Sequence, residues 1–216
     1  MAITYPRAFP TGLRFGKSQM ALTRQMSTIT LESGAVQAAE MGEPIWRLSA
    51  TTEPLRWTGR RQLAAWHASL AGSRRILAYD WVGSYPIAYG AAVMGLTRAT
   101  GGAFGGSATL TSWTAITVTL TGLPAGYVLS AGDRMSWAWA GVRAYHEAVE
   151  PVTASASGVA TVTVEPGVRL SPAPAAGSAV ALVRPTVVMM IVPDSWSLDE
   201  SGALGAASFE AVQVVV

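Results

Sequence analysis

Apolar and polar residues alternate in short runs along most of this chain, the period-two signature of β-strands with one covered face. Ile29 and Leu31 alternate with Thr28 and Thr30, which predicts a half-buried strand. Trp46, Leu48 and Ala50 alternate with Arg47 and Ser49, which predicts a second. GAVQAAEMGEP between them, with two glycines and a proline, reads as a connection. Residues 1–25 mix Pro, Gly and Arg without a period and read as an extended arm that orders only against another surface. One segment switches period: Leu63, Trp66, His67 and Leu70 recur at helical spacing opposite Arg61, Ala65 and Ser69, which predicts a helix over about 58–71. Thr58 is its candidate N-cap and Gly72 its candidate stop.

Beyond the helix, residues 75–82 alternate again, with Leu77, Tyr79 and Trp81 on one face. Gly90 to Gly106 is dominated by small residues and reads as a loop or linker. The texture then changes to short strands between turn clusters: Ile116, Val118 and Leu120 among threonines, LPAG and SAGD turns, Met135, Trp137 and Trp139, then Val162 and Val164. Val187 to Val192 is continuously apolar, as expected of a strand covered on both faces, and Phe209 to Val216 is a last strand. The fold class expected is mainly β: a β-sandwich with one flanking α-helix, interrupted by a small antiparallel β-domain. The sandwich takes residues 1–98 and 184–216, and the inserted barrel or sandwich takes 107–183.

Composition narrows the function. Mean hydropathy is +0.32, yet the longest strongly apolar run has six residues against the ~20 of a spanning helix, so membrane insertion is not expected. The first residues lack the apolar core of a secretory signal. Only 13% of residues are charged, about half the usual ~25%, which favours an oligomer that hides part of its surface. With no cysteine, disulfides, thiolate metal sites and Cys nucleophiles are all excluded.

The net charge of +2 hides an asymmetry: residues 1–98 carry 11 basic against 5 acidic side chains, and the rest carry 4 against 8. Arg60, Arg61, Arg74 and Arg75 bracket one short segment and are the candidate interface, either a basic patch or helix ends facing solvent. No nucleic-acid-binding pattern accompanies them.

Catalytic patterns are missing. His67 lies on the helix's apolar stripe, where a packed histidine is the simpler reading, and HEAVE at His146 has Glu where a zinc-protease helix needs its second His. No G-x-S-x-G, dinucleotide or Walker-type motif occurs, and the acidic residues are scattered. An enzyme is therefore not expected, and neither is a cofactor or a metal. The chain has eight tryptophans; Trp113, Trp137 and Trp139 are the candidate sugar-stacking residues, set against plain core or interface packing.

Residues 123–191 carry a further set of marks: Leu129 with Gly132 and Asp133, then Gly158 through Pro166, then Gly177 with Val180, then Pro185 before an apolar strand. This pattern resembles tail-tip proteins of long, flexible-tailed bacteriophages and related gene transfer agents, and WRLSA with the following helix and strand is similar to their tail-tube-like sandwich. The resemblance covers about two thirds of the chain. It implies a distal tail or minor tail protein, a homo-oligomeric ring, usually sixfold, that joins the tail tube to the hub or baseplate of the virion. Such a protein is made in the host bacterial cytoplasm, and DNA passes through its lumen without specific binding. The basic half is then expected to face outward or to meet an acidic ring. The arm at 1–25 and the strand at 209–216 are the expected pairing elements. The alternative reading is a carbohydrate- or receptor-binding β-module.

Overall fold

A computed structural model describes residues 4–71 and 75–215. The chain runs through β1 (Arg7–Ala8), β2 (Phe15–Thr30), β3 (Val36–Thr52), β4 (Leu55–Arg56), α1 (Trp57–Ala68) and β5 (Ile76–Ala78), then a 3₁₀ turn at Gly90–Gly95. Eight strands follow: β6 (Ser107–Trp113), β7 (Thr117–Thr121), β8 (Val128–Leu129), β9 (Arg134–Trp139), β10 (Val142–Ala148), β11 (Val152–Thr153), β12 (Ala160–Glu165) and β13 (Ala179–Ala181). The last are β14 (Val187–Ile191), β15 (Ser197–Leu198), β16 (Leu204–Gly205) and β17 (Ala207–Gln213). The molecule is mainly β.

Six of these strands close a barrel in the order β10, β12, β7, β6, β13, β9. Their alternating apolar residues, among them Leu110, Val118, Leu120, Met135, Trp137, Val162 and Val180, meet inside it and are buried. Two of the glycine marks are required by its turns. Gly132 sits at φ +91° before the Asp133 turn, and Gly158 at φ +73° lies so close to the Leu123 carbonyl oxygen that a Cβ there would collide with it.

Seven of the other strands build one sheet in the order β1, β5, β14, β17, β3, β2, with β15 on the flank of β17, while β8 with β11 and β4 with β16 form two small two-stranded sheets. The α1 side chains Leu63 and Trp66 share a core with Trp46, Leu48, Ile76, Met189 and Phe209 of this sheet. β14 joins the two bodies: Val187, Met189 and Ile191 belong to the sheet core and Val188 to the barrel core, which explains its unbroken apolar sequence. Arg134 of β9 bolts barrel to sheet, donating to Asp80 Oδ2 at 2.6 Å, to Glu147 Oε2 at 3.1 Å and to the Met20 carbonyl at 3.0 Å. Trp46 adds an indole N–H to the Tyr145 carbonyl at 3.0 Å.

Several expectations are corrected. The N-terminal segment is not a free arm: β1 pairs in parallel with β5, Phe9 stacks near Trp66 and Phe209, and Phe15 stacks on Trp81. Its aromatic residues find their partners within the chain. The strand near the C-terminus is no edge either, because β17 is flanked by β14 on one side and β3 on the other. The strand expected over 75–82 stops at Ala78, where Asp80 turns the chain by accepting the N–H groups of Val82 and Gly83 at 3.1 Å. The helix starts at Trp57 with no side-chain cap bond, so Thr58 is not its cap, and Gly72 lies outside the described residues. The small-residue stretch before the barrel is anchored rather than loose: Val93 and Phe104 are buried, and Arg98 donates to the carbonyls of Ala103, Phe104, Ser107 and Gly122.

The largest correction concerns residues 24–43. GAVQAAEMGEP is not a connection but most of the front half of β3, which pairs with β2 through Thr30 opposite Val36, Ile29 opposite Gln37 and Met26 opposite Glu40. β17 joins β3 only from Arg47 onward, so the outer half of this hairpin is a two-stranded ribbon standing away from the sheet. Alternation at 28–31 marks the faces of a strand, but no second layer covers them.

Candidate functional site

The ribbon is the most unusual surface of the molecule. Opposite residues of an antiparallel pair point to the same side, which puts Met26 and Val36 on one face and Ile29 on the other, with Met41 at the bulge beside Met26 and Leu31 just past the last pair. All are exposed: Met26 56%, Ile29 61%, Val36 66% and Met41 70%. From Met26 to Met41 the only charges are Glu32 and Glu40. An isolated two-stranded hairpin is marginal in water, and this one has apolar side chains on both faces with almost no charge to solvate them.

Its root is braced to the barrel. Arg24 bridges Glu40 across the hairpin at 2.7 Å and Glu165 at the end of β12 at 2.6 Å, and Glu43 pairs with Arg169. These exposed pairs are worth little individually, but three of them at one root fix the direction in which the ribbon leaves. The ribbon was missed in the sequence because its alternation matches that of a half-buried strand. The legible signal was a long stretch combining apolar residues at both parities with two charges.

Of the four arginines expected at one interface, one is used inside the chain. Arg60 is buried, its guanidinium used by the carbonyls of Asp199 at 3.1 Å and Gly202 at 2.8 Å. Arg61 is exposed with its guanidinium carbon 5.4 Å from the centroid of the exposed Trp57 ring, and Arg75 is exposed beside β5. Arg74 lies outside the described residues.

The three tryptophans do not form an open platform. Trp137 and Trp139 point into the barrel and are buried, while Trp113 is half-buried at the end of β6. Trp139 donates its indole N–H to the Pro172 carbonyl at 2.8 Å, and Trp137 stacks on His146 at 4.6 Å and 11°.

Both histidines are packed. His67 stacks on Trp196 at 4.0 Å and 3°, and burial lowers its pKa. His146 lies in the last residues of β10, inside the barrel, and burial pulls its pKa down to about 4, only partly opposed by its bond to the Pro166 carbonyl. It is uncharged at neutral pH. Burial likewise raises the pKa of Asp133, which accepts the Ile87 and Ser130 N–H groups at 2.7 and 2.8 Å.

Among the described residues no three His, Asp or Glu side chains gather in a metal-binding group, and no helix is long and apolar enough to cross a membrane. The chain matches no known family model and no curated protein, so its function is read from the residues described above.

Proposed function

We propose that this protein is a structural subunit of a phage-type tail tip: a distal tail protein that forms a homo-oligomeric ring, sixfold in the simplest case, and joins the tail tube to the hub or baseplate. The observation that carries the reading is the ribbon, whose two uncovered apolar faces require a protein surface on each side. A patch that docks on a different patch of the next copy is a heterologous contact, which forms a ring where the rotation between copies closes. The marks at Leu129, Gly132, Asp133 and Gly158 support the tail-tip resemblance as turns that shape the barrel. In this reading the seven-stranded sheet with α1 is the tail-tube-like sandwich. Its neighbours are tail tube and hub proteins, its place is the virion tail tip, and DNA crosses its lumen without specific binding. A ring subunit needs no catalysis and no cofactor.

The test is the mass of the purified chain by light scattering after size exclusion, with negative-stain images of the same peak. A ring of about six copies with an open centre is expected. A monomer at every attainable concentration overturns the ring.

A further inference from the structure

The tip of the ribbon has a closed shape. The Leu31 N–H donates to the Ala35 carbonyl at 2.9 Å and the Gly34 N–H to the Leu31 carbonyl at 2.8 Å, with Gly34 at the positive φ of 79° that this turn requires. The tip presents Leu31, 41% exposed, beside the exposed carboxylate of Glu32. Among the described residues the Glu32 side chain makes no hydrogen bond or ion pair. One apolar side chain and one unpaired acid thus stand at the end of the ribbon.

A complementary surface lies elsewhere on the chain. A crevice of about 450 Å³ opens between sheet and barrel, beside the turn that joins β9 to β10. Its accessible wall is apolar or small: half-buried Pro6 and Leu77, and the exposed Ala138, Ala140 and Gly141. Val142 and Val188 are its buried floor. A single charged residue, Arg143, lines it. Val142 belongs to the barrel core and Tyr145 to the sheet core, so Arg143, which shares the face of Tyr145, leaves β10 on the sheet side. It is half-buried, and among the described residues its side chain makes no hydrogen bond or ion pair.

An apolar crevice with one unpaired guanidinium matches an apolar tip with one unpaired carboxylate. A protomer does not bring its own two together. The crevice lies at β5 and β14, and β17 separates these from β3. From Thr23 to Thr30 the ribbon then carries its tip a further ~23 Å, at ~3.3 Å per residue, along the strand direction. We propose that the crevice between the β9–β10 turn and Leu77 receives the ribbon tip of a second copy of this chain, with Leu31 against the apolar wall and Glu32 on Arg143. The crevice is then the acceptor of the heterologous contact, so this docking rests on the ring reading.

The experiment is sedimentation velocity over a concentration series with charge-exchanged full chains. Glu32→Arg and Arg143→Glu each set like charges against one another and are each expected to weaken association about tenfold. Both changes in one chain restore the pair with its signs exchanged, and association is expected to return to within about threefold of the parent. The chain has no cysteine, so Ser33→Cys combined with Ala140→Cys gives a second measurement that does not depend on charge. On oxidation it is expected to form a covalent ladder that continues beyond dimers. Single variants that assemble like the parent, a double exchange no better than the singles, or no ladder overturns the crevice. Covalent dimers from Ser33→Cys alone also overturn it, because they place ribbon on ribbon. In each of these cases a parent that still assembles leaves the ring standing, whereas a parent that stays monomeric at every concentration overturns ring and crevice together.

Discussion

Replacing Ile29 and Val36 together by glutamate puts one charge on each face of the ribbon. These residues are 61% and 66% exposed, so each has about 100 Å² available to a partner, worth ~2.5 kcal/mol at ~25 cal/mol per Å². If a neighbour covers only half of that area, the pair still contributes ~2.5 kcal/mol per contact, and a carboxylate buried without a partner adds to the loss. The association constant of each contact is then expected to fall by about 100-fold or more. Neither side chain is packed within its own chain, so the fold itself is expected to change by no more than ~0.5 kcal/mol, apart from the lower strand propensity of glutamate. Sedimentation velocity reads the assembly, and a thermal melt followed by circular dichroism reads the fold. A double variant with the parent's mass distribution would refute the reasoning. So would a melting temperature lowered by more than about 5 °C, which corresponds to ~2 kcal/mol for a chain of this size and would mean that the ribbon's faces are packed inside the protomer.

Arg98→Met removes a guanidinium that serves the Gly122 carbonyl at 2.5 Å and the Ser107 carbonyl at 2.8 Å, besides two longer bonds. The expected cost is ~3 kcal/mol, seen as a drop of about 7 °C in a calorimetric melt. His146 gives a pH dependence. Its folded pKa of about 4 lies below the ordinary 6.5, so its contribution is complete above pH 6.5 and is lost as the pH falls toward 4. The total is ~3 kcal/mol. Asp133, whose pKa is raised, acts in the opposite direction at the acid end, where protonation relieves its buried charge. Urea titrations at a series of pH values are expected to show this slope in the parent and a flatter profile in His146→Asn; parallel profiles would remove His146 as its source.

Strand content was legible in the sequence because alternation is local: Val118, Leu120, Met135, Trp137, Val162 and Val164 had to share the inner side of their strands whatever those strands paired with. The same logic covers β14, whose unbroken apolar run requires cover on both faces, and the turns at Gly132 and Gly158, where positive φ leaves little choice but glycine. The helix showed itself by its period, although not its first residue, since no side chain caps it.

Pairing and exposure were decided by tertiary structure. Whether a strand ends at an edge or in a sheet interior depends on partners far away in sequence, which is why the segment around Phe209 is enclosed by β14 and β3 and the aromatic residues near the N-terminus are used internally. Arg60 is a surface charge in the sequence and a buried clamp on the Asp199–Gly202 turn in the fold, because only the packing brings those carbonyls to it. The ladder between β10 and β12 is only two pairs long, a register that no local propensity encodes. The sequence determined which residues of β2 and β3 share a face, and the fold determined that over the outer half of the ribbon neither face is covered.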